Sequence, residues 1–279
     1  MKKLFIKNFL LALPMLAALN AFALSPSREY AVSPDDYGMK YKEVWINTED
    51  NVKLYAWLFN PTVASKKYII ISDDGNGNMA DNLEIIAQFL SAGYNVISYD
   101  YRGYGKSDEF KVNEKFFIYP QFVKDLTAVI EHSRKYGTQF DLYGIGIGAG
   151  LSVGVGANRT EVRRIIADGA YSTFEETKNR LKEKTGADVM MPLAYEKAFM
   201  EPKYALEEKG SHLYGVMFIV GQNDEITTPE DVKALSKLKS KITDVYVVPG
   251  AKNEANFSTN KNEYFNQIKK FLESHSSTK

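Results

Sequence analysis

The stretch that decides the fold is residues 140–150, which read FDLYGIGIGAG. Its first residues are typical of a short buried strand, and the apolar run that follows, at residues 149–157, suits a helix. Between strand and helix, Gly144, Gly146 and Gly148 alternate with isoleucine. Glycine at this density favours a tight turn and a closely packed helix, because it has no side chain. The stretch therefore predicts a strand, a sharp turn and a helix in direct succession.

Strands and helices alternate through the rest of the chain as well. Further strands are predicted at residues 41–47, 52–59, 67–72, 95–99, 164–167, 217–220 and 245–248, and further helices at 79–92, 121–136 and 263–273. Such alternation indicates an α/β fold with a mostly parallel central sheet flanked by helices on both faces.

One interval breaks the alternation. The chain between the strands that begin near residues 164 and 217 is far longer than the roughly ten to twelve residues that a crossover needs. Residues 174–184 and 192–208 are predicted to be helical there. We expect a small helical, lid-like insertion at about residues 172–212, and the alternative is simple surface elaboration.

The first 23 residues differ in composition from the rest. Lys2, Lys3 and Lys7 precede an apolar run at residues 9–19, and Ala21-Phe22-Ala23 forms a small-x-small site. This pattern predicts a signal peptide at residues 1–23 that is removed after export. A membrane anchor is the alternative, but the run is shorter than the roughly 20 apolar residues that span a bilayer. We therefore expect an exported domain at residues 24–279, periplasmic or secreted, with no transmembrane anchor after cleavage.

Charge and cysteine content exclude several classes of function. Lys plus Arg and Asp plus Glu number 35 each, so the formal net charge is zero, which argues against a nucleic-acid-binding protein. The chain has no cysteine. Disulfides, thiolate metal sites and a cysteine nucleophile are therefore excluded, and no cofactor is predicted.

Five motifs at predicted strand ends resemble one family. They are the DYRGYGKS turn at residues 100–107, Gly77-Asn78, the glycine-rich turn at 142–150, GQND at 221–224 and PGAKNE at 249–254. In their order along the chain they resemble the α/β-hydrolase superfamily, in particular its compact single-domain serine hydrolases. The resemblance covers residues 41–272. It implies a serine on the glycine-rich turn, an acid in the GQND loop and a histidine in the loop after the last strand.

The catalytic positions depart from that pattern. Gly146 stands where the family has the serine, so no acyl-enzyme can form there. Asn253 stands at the histidine position, and an amide cannot accept and return a proton near neutral pH. Asp224 alone of the three positions keeps its residue type. The resemblance implies a degenerate catalytic triad.

The oxyanion region has also changed. The resemblance places Ile147 and residues 73–74 there, and Asp73-Asp74 replaces the family's His-Gly. Carboxylates beside such a site oppose the negative charge that develops during acyl transfer. Asp73, Asp74, Asp224 and Asn253 could instead supply oxygen ligands to a cation such as Ca²⁺, although acidic loops are more often simply solvated.

Three further features have competing explanations. Ser152 lies in a literal G-x-S-x-G at residues 150–154 and is an alternative nucleophile, but a position inside the predicted helix suits it better. The histidines His132, His212 and His275 lie away from the expected base position. The aromatic run at residues 110–120 could contact a protein partner, and core packing explains it equally well.

Together these features favour a non-catalytic binding or regulatory protein whose ligand is an unknown small molecule, lipid or protein. The alternative is an active esterase or peptidase that uses Ser152 or a metal-activated water.

Overall fold

The computed structural model describes residues 24–253 and 255–276. The predicted signal peptide, residues 1–23, lies outside the described residues, as does Glu254 of the PGAKNE motif.

The described chain contains two sheets. The large sheet holds β2 (Tyr41–Asn47), β3 (Lys53–Phe59), β4 (Tyr68–Ser72), β6 (Asn95–Tyr99), β7 (Phe140–Ile145), β8 (Val162–Asp168), β9 (Gly215–Gly221) and β10 (Thr243–Val248). The small sheet pairs β1 (Ser25–Pro26) with β5 (Asn76–Gly77).

Helices cover both faces of the large sheet. They are α1 (Leu83–Ser91), α2 (Gln121–Ser133), α3 (Ile147–Ala157), α4 (Phe174–Thr185), α5 (Lys197–Met200), α6 (Pro202–Glu208), α7 (Pro229–Leu238), α8 (Asn256–Thr259) and α9 (Lys261–Ser274). No helix within residues 24–253 and 255–276 has the length and apolarity needed to cross a membrane.

The large sheet is mostly parallel, as the sequence predicted. Its strand order is β10-β9-β8-β7-β4-β6-β3-β2. β3 runs antiparallel to both of its neighbours, and the other pairs are parallel. Central strands are buried on both sides, so β9 is buried along its whole length and reads GVMFIVG.

The turn from β7 into α3 lies against the end of β4. A Cβ atom added to Gly148 would come within 2.4 Å of the carbonyl oxygens of Ser72 and Asp73. Only glycine allows α3 to begin this close to the neighbouring strand. The turn therefore sits at the carboxyl edge of the sheet, where ligands bind in parallel α/β folds.

The chain between β8 and β9 differs in detail from the prediction. α4 forms as expected, but the helix predicted at residues 192–208 is replaced by two short helices, α5 and α6. Glu201 separates them with an extended backbone (φ −113°, ψ 112°), and Pro202 begins the second. The Glu201 carboxylate accepts a hydrogen bond from the Phe174 amide at 2.8 Å, which ties the break to the start of α4.

Candidate functional site

Gly146 occupies the bend between β7 and α3. Its backbone has φ 53° and ψ −117°, and its amide donates a hydrogen bond to the Asp168 carbonyl oxygen at 2.8 Å. A residue with a Cβ atom rarely adopts this conformation. The structure thus places a residue without a side chain on the sharp strand-to-helix turn where the resemblance expects a nucleophile.

A narrow cavity of about 30 Å³ lies beside Gly146. Asp74, Ile147, Asp224 and Asn253 line it together with Gly146. Five residues singled out in the sequence therefore meet in space, although they come from four separate loops. A cavity of this size has room for about one or two water molecules.

Asp73 and Asp74 point to different places. The Asp73 carboxylate accepts hydrogen bonds from the Gly75 amide at 3.0 Å and from Asn82 Nδ2 at 2.7 Å, so it is held inside the protein. Asp74 lines the cavity, and its Oδ1 accepts a hydrogen bond from the Asn76 amide at 2.8 Å. Burial raises the pKa of both carboxyls. Only Asp74 of the pair faces the space beside Gly146.

Asp74 also limits what could stand at position 146. A Cβ atom built on Gly146 would lie 3.2 Å from the Asp74 Cβ and 3.6 Å from its Cα. Contacts near 3.2 Å are tight for two carbon atoms, whose optimal separation is about 3.5–4.0 Å. Asp74, in the loop after β4, therefore leaves little room for a side chain at position 146.

Asp224 and Asn253 belong to the loops after β9 and β10. Asp224 Oδ1 accepts hydrogen bonds from the amides of Ile226 at 2.9 Å and Thr227 at 2.8 Å. Burial raises the pKa of Asp224 to about 6. Asn253 Oδ1 accepts a hydrogen bond from the Glu225 amide at 3.2 Å, so the asparagine fastens the two loops to each other.

Candidate bases and the alternative nucleophile lie elsewhere. His132 is in α2, His212 Nε2 lies 3.2 Å from the Gly156 carbonyl oxygen, and His275 follows α9. None of these three histidines lines the cavity beside Gly146. Ser152 lies in the second turn of α3 and is fully buried, and its Oγ has no hydrogen-bond partner within the described residues.

Asp168 is a site neighbour that the sequence reasoning missed. Its carboxylate accepts hydrogen bonds from Tyr264 Oη and Asn256 Nδ2, both at 2.6 Å, and burial raises its pKa to about 6. The predicted strand stopped at residue 167, one short of this aspartate. A polar residue ending a strand next to the elbow was the available signal.

The cation site and the aromatic contact surface are the two remaining hypotheses from the sequence. No group of three or more histidine, cysteine, aspartate or glutamate side chains in the described part of the chain is arranged to hold a metal ion. In the aromatic run at residues 110–120, Phe117 and Ile118 are buried, and the Phe117 ring packs on Tyr171 with centroids 5.1 Å apart. Core packing accounts for this part of the run.

Comparison with solved structures identifies the architecture. The structure of the esterase Pf2001 from Pyrococcus furiosus superimposes with a TM-score of 0.71 at 22% identity, covering 90% of this chain and 97% of that one. The chain has the α/β-hydrolase fold. No family profile matches the sequence.

Two curated proteins support the same superfamily for this α/β-hydrolase-fold chain. The protein Bem46 of Schizosaccharomyces pombe is 28% identical over 154 residues, which cover 54% of this chain and 51% of Bem46. The alpha/beta hydrolase domain-containing protein WAV2 of Arabidopsis thaliana is 26% identical over 108 residues, or 38% of this chain and 33% of WAV2. The chain thus spans about half of Bem46 and a third of WAV2. The resemblance to the α/β-hydrolase superfamily is confirmed.

Proposed function

We propose that this α/β-hydrolase-fold protein is exported and binds a ligand without hydrolysing it, as a binding or regulatory protein. One observation carries the proposal: Gly146, with φ 53° and ψ −117°, stands on the elbow where a nucleophilic side chain would have to be. Hydrolysis through an acyl-enzyme needs an oxygen or sulfur atom at that point.

The residues around the elbow support the same conclusion. Asp224 stands at the position of the triad acid, but the histidine position on the loop after β10 is Asn253. The Asn253 Oδ1 accepts a hydrogen bond from the Glu225 amide at 3.2 Å. A carboxylate in a triad acts by orienting an imidazole. Without that imidazole, Asp224 has no proton carrier to orient.

The electrostatics of the cavity also oppose acyl transfer. Asp74 lines the space in which an oxyanion would form. An ionised carboxylate there repels the developing charge, whereas hydrolases place hydrogen-bond donors at this point. The site suits binding better than catalysis.

The alternative nucleophile Ser152 fits poorly. Ser152 belongs to α3 and its side chain is fully buried, so a substrate carbonyl cannot reach Oγ from the solvent. Nucleophile and base must lie within hydrogen-bond reach of each other, and the three histidines do not line the cavity.

Ester turnover tests the proposal. The purified protein is incubated with p-nitrophenyl acetate, butyrate and octanoate, with either EDTA or Ca²⁺ present, and Ser152→Ala is the control. We expect no rate above buffer in any condition. Saturable turnover that disappears in Ser152→Ala, or that requires Ca²⁺ and stops with EDTA, would restore the catalytic alternative.

Export has its own test. The full-length chain is expressed in a bacterial host, and the cytoplasmic, periplasmic and medium fractions are analysed by intact mass. We expect the protein outside the cytoplasm with Leu24 as its first residue. A full-length product confined to the cytoplasm would contradict this part of the proposal.

A further inference from the structure

A short segment of the chain, residues 24–30, begins at Leu24 in the cavity lining and runs to the turn at residues 100–107; we call it the strap. Its β1 residues pair in parallel with β5, with the Ser25 amide donating to the Gly75 carbonyl at 2.9 Å and the Ser27 amide donating to Gly77 at 2.8 Å. The strap therefore lies on the loop after β4, which also carries Asp74.

Residues 27–30, the part of the strap that is farther from the cavity, are held by hydrogen bonds. The Gly105 amide donates to the Ser27 carbonyl at 2.9 Å, and Arg28 donates to the Ser107 carbonyl at 2.6 Å. Tyr30 donates a hydrogen bond to the Asp100 carboxylate. These contacts hold residues 27–30 to the turn at residues 100–107.

Leu24, the first residue of the strap, places its side chain in the site. Leu24 is 2% exposed and lines the cavity beside Gly146. A Cβ atom added to Gly75 would lie 2.8 Å from Leu24 Cδ2 and 2.7 Å from Ile147 Cδ1, so both of these side chains pack against Gly75. The Leu24 backbone N–H donates to the Phe116 carbonyl oxygen at the long distance of 3.5 Å.

We propose that Leu24 is a plug, and that the ligand of this site is a neutral aliphatic chain that takes the place of the leucine side chain. Residues 24–26 swing outward about Ser27 while residues 27–30 stay in place. The inference rests on the proposed binding function, since it names the class of ligand for that site.

The lining explains the choice of ligand class. The space that Leu24 vacates is bordered by Ile147, Phe117 and Tyr171, which are apolar or aromatic. The carboxyls of Asp74 and Asp224 border the same space. An anionic head group would be repelled there, and a cationic one would lose its hydration against the apolar lining, so an uncharged chain such as an aliphatic alcohol fits best.

The predicted processing site fits this role. Signal-peptide cleavage after Ala23 would make Leu24 the first residue of the exported chain. A free chain end needs to break few contacts in order to move.

The absence of cysteine from the chain makes a direct test available. Single cysteines are introduced as Leu24→Cys and, as the matched control, Leu193→Cys, because Leu193 is fully exposed. Alkylation by iodoacetamide is followed by intact mass. We expect Leu24→Cys to react at least about tenfold more slowly than Leu193→Cys, since a buried thiol reacts only when the plug opens.

The probe ligand is 1-hexanol. We expect it to accelerate alkylation of Leu24→Cys while leaving Leu193→Cys unchanged. We also expect Leu24→Ala, but not Leu193→Ala, to bind N-phenyl-1-naphthylamine at least about tenfold more tightly than the natural chain. Equal alkylation rates at the two cysteines, or no effect of 1-hexanol together with no gain of binding in Leu24→Ala, would overturn the plug.

The two proposals fail in different ways. Ester turnover with an intact 1-hexanol response would remove the non-catalytic function and leave the plug. Absent turnover with no 1-hexanol response would remove the plug and leave the non-catalytic function.

Discussion

At Gly146 two constraints act on one residue. The backbone conformation, φ 53° with ψ −117°, is costly for any residue with a Cβ atom, and the Asp74 Cβ lies 3.2 Å from the point that such an atom would occupy. An active hydrolase accepts this strain to aim its nucleophile. Here the glycine relieves it, and Asp74 of the neighbouring loop lies close to position 146.

We expect Gly146→Ser to lower the free energy of unfolding by about 2–4 kcal/mol, because backbone strain and crowding by Asp74 add. The matched control is Gly93→Ser, where φ is 79° and nothing lies within 4 Å of an added Cβ. That change should cost about 1 kcal/mol. Urea unfolding of both variants measures the difference, and equal losses would show that Asp74 does not crowd position 146.

A serine and a histidine restored at the two changed triad positions would still face Asp74. Gly146→Ser combined with Asn253→His should not give efficient ester hydrolysis, since Asp74 still faces the oxyanion space. Adding Asp74→Asn should raise kcat/KM of that double variant at least about tenfold, because it removes the opposing charge. Robust turnover by the double variant alone would show that the carboxylate is harmless.

At the scale of elements, one arginine fastens the insertion to the fold. Arg180 of α4 forms an ion pair with Asp231 of α7, with Nη2 2.7 Å from Oδ1, and its Nη1 donates to the Ile226 carbonyl at 3.0 Å. Ile226 lines the cavity. The insertion and the loop after β9 are therefore held together beside the site.

We expect Arg180→Met to lower the free energy of unfolding by about 1–3 kcal/mol, because Asp231 loses its charged partner while partly buried. Proteolysis within residues 186–196 should become faster. The control is Arg134→Met, whose side chain is 65% exposed and should matter by less than about 0.5 kcal/mol. Equal effects of the two changes would mean that Arg180 does not fasten the insertion.

The sequence predicted helices and strands well where glycine residues mark their ends. Gly93 ended α1 and the glycine-rich turn separated β7 from α3, so strand and helix types followed from periodicity and breakers. The pairing of β1 with β5 could not be predicted, since two residues carry no period. The break at Glu201 depends on a tertiary hydrogen bond to the Phe174 amide at 2.8 Å.

The sequence predicted which residues form the candidate site, but not the direction in which each side chain points. Motif order placed Gly146, Asp224 and Asn253 at one sheet edge, because parallel strands end together. Asn82 Nδ2 donates a hydrogen bond to the Asp73 carboxylate at 2.7 Å and holds it inside the protein, whereas Asp74 faces the cavity. This tertiary contact could not be predicted from the sequence. No local sequence pattern predicted that Leu24 lies at the site, because it meets the cavity only when the folded chain brings it there.

At the scale of the whole molecule, buried carboxyls link stability to pH. Burial raises the pKa values of Asp100, Asp168 and Asp224 to about 6 from an ordinary value of 3.8. Between these values the folded state binds more protons than the unfolded state. Each group therefore stabilises the fold at low pH and loses that contribution as the pH rises through about 6.

We expect the melting temperature to rise as the pH falls from 7 to 5. Each group should contribute about 1 kcal/mol over this interval, because its contribution grows by about 1.4 kcal/mol per pH unit only once the pH is below its pKa of about 6, and Asp168→Asn should shrink the rise by its own share. Below about pH 4, stability should fall again, because Arg102 lowers the pKa of Asp50 and protonation of Asp50 breaks their ion pair. Scanning calorimetry from pH 3 to 8 measures the curve, and a steady decline from pH 7 to 5 would contradict the assignment.

Neither position 146 nor Ser152 offers a nucleophile that a substrate can reach. The most direct measurement is the intact mass of the protein after exposure to a fluorophosphonate, with an active serine esterase labelled in parallel. We expect an unchanged mass. A stoichiometric adduct on a serine of the folded protein, Ser152 above all, that is absent after heat denaturation would contradict it.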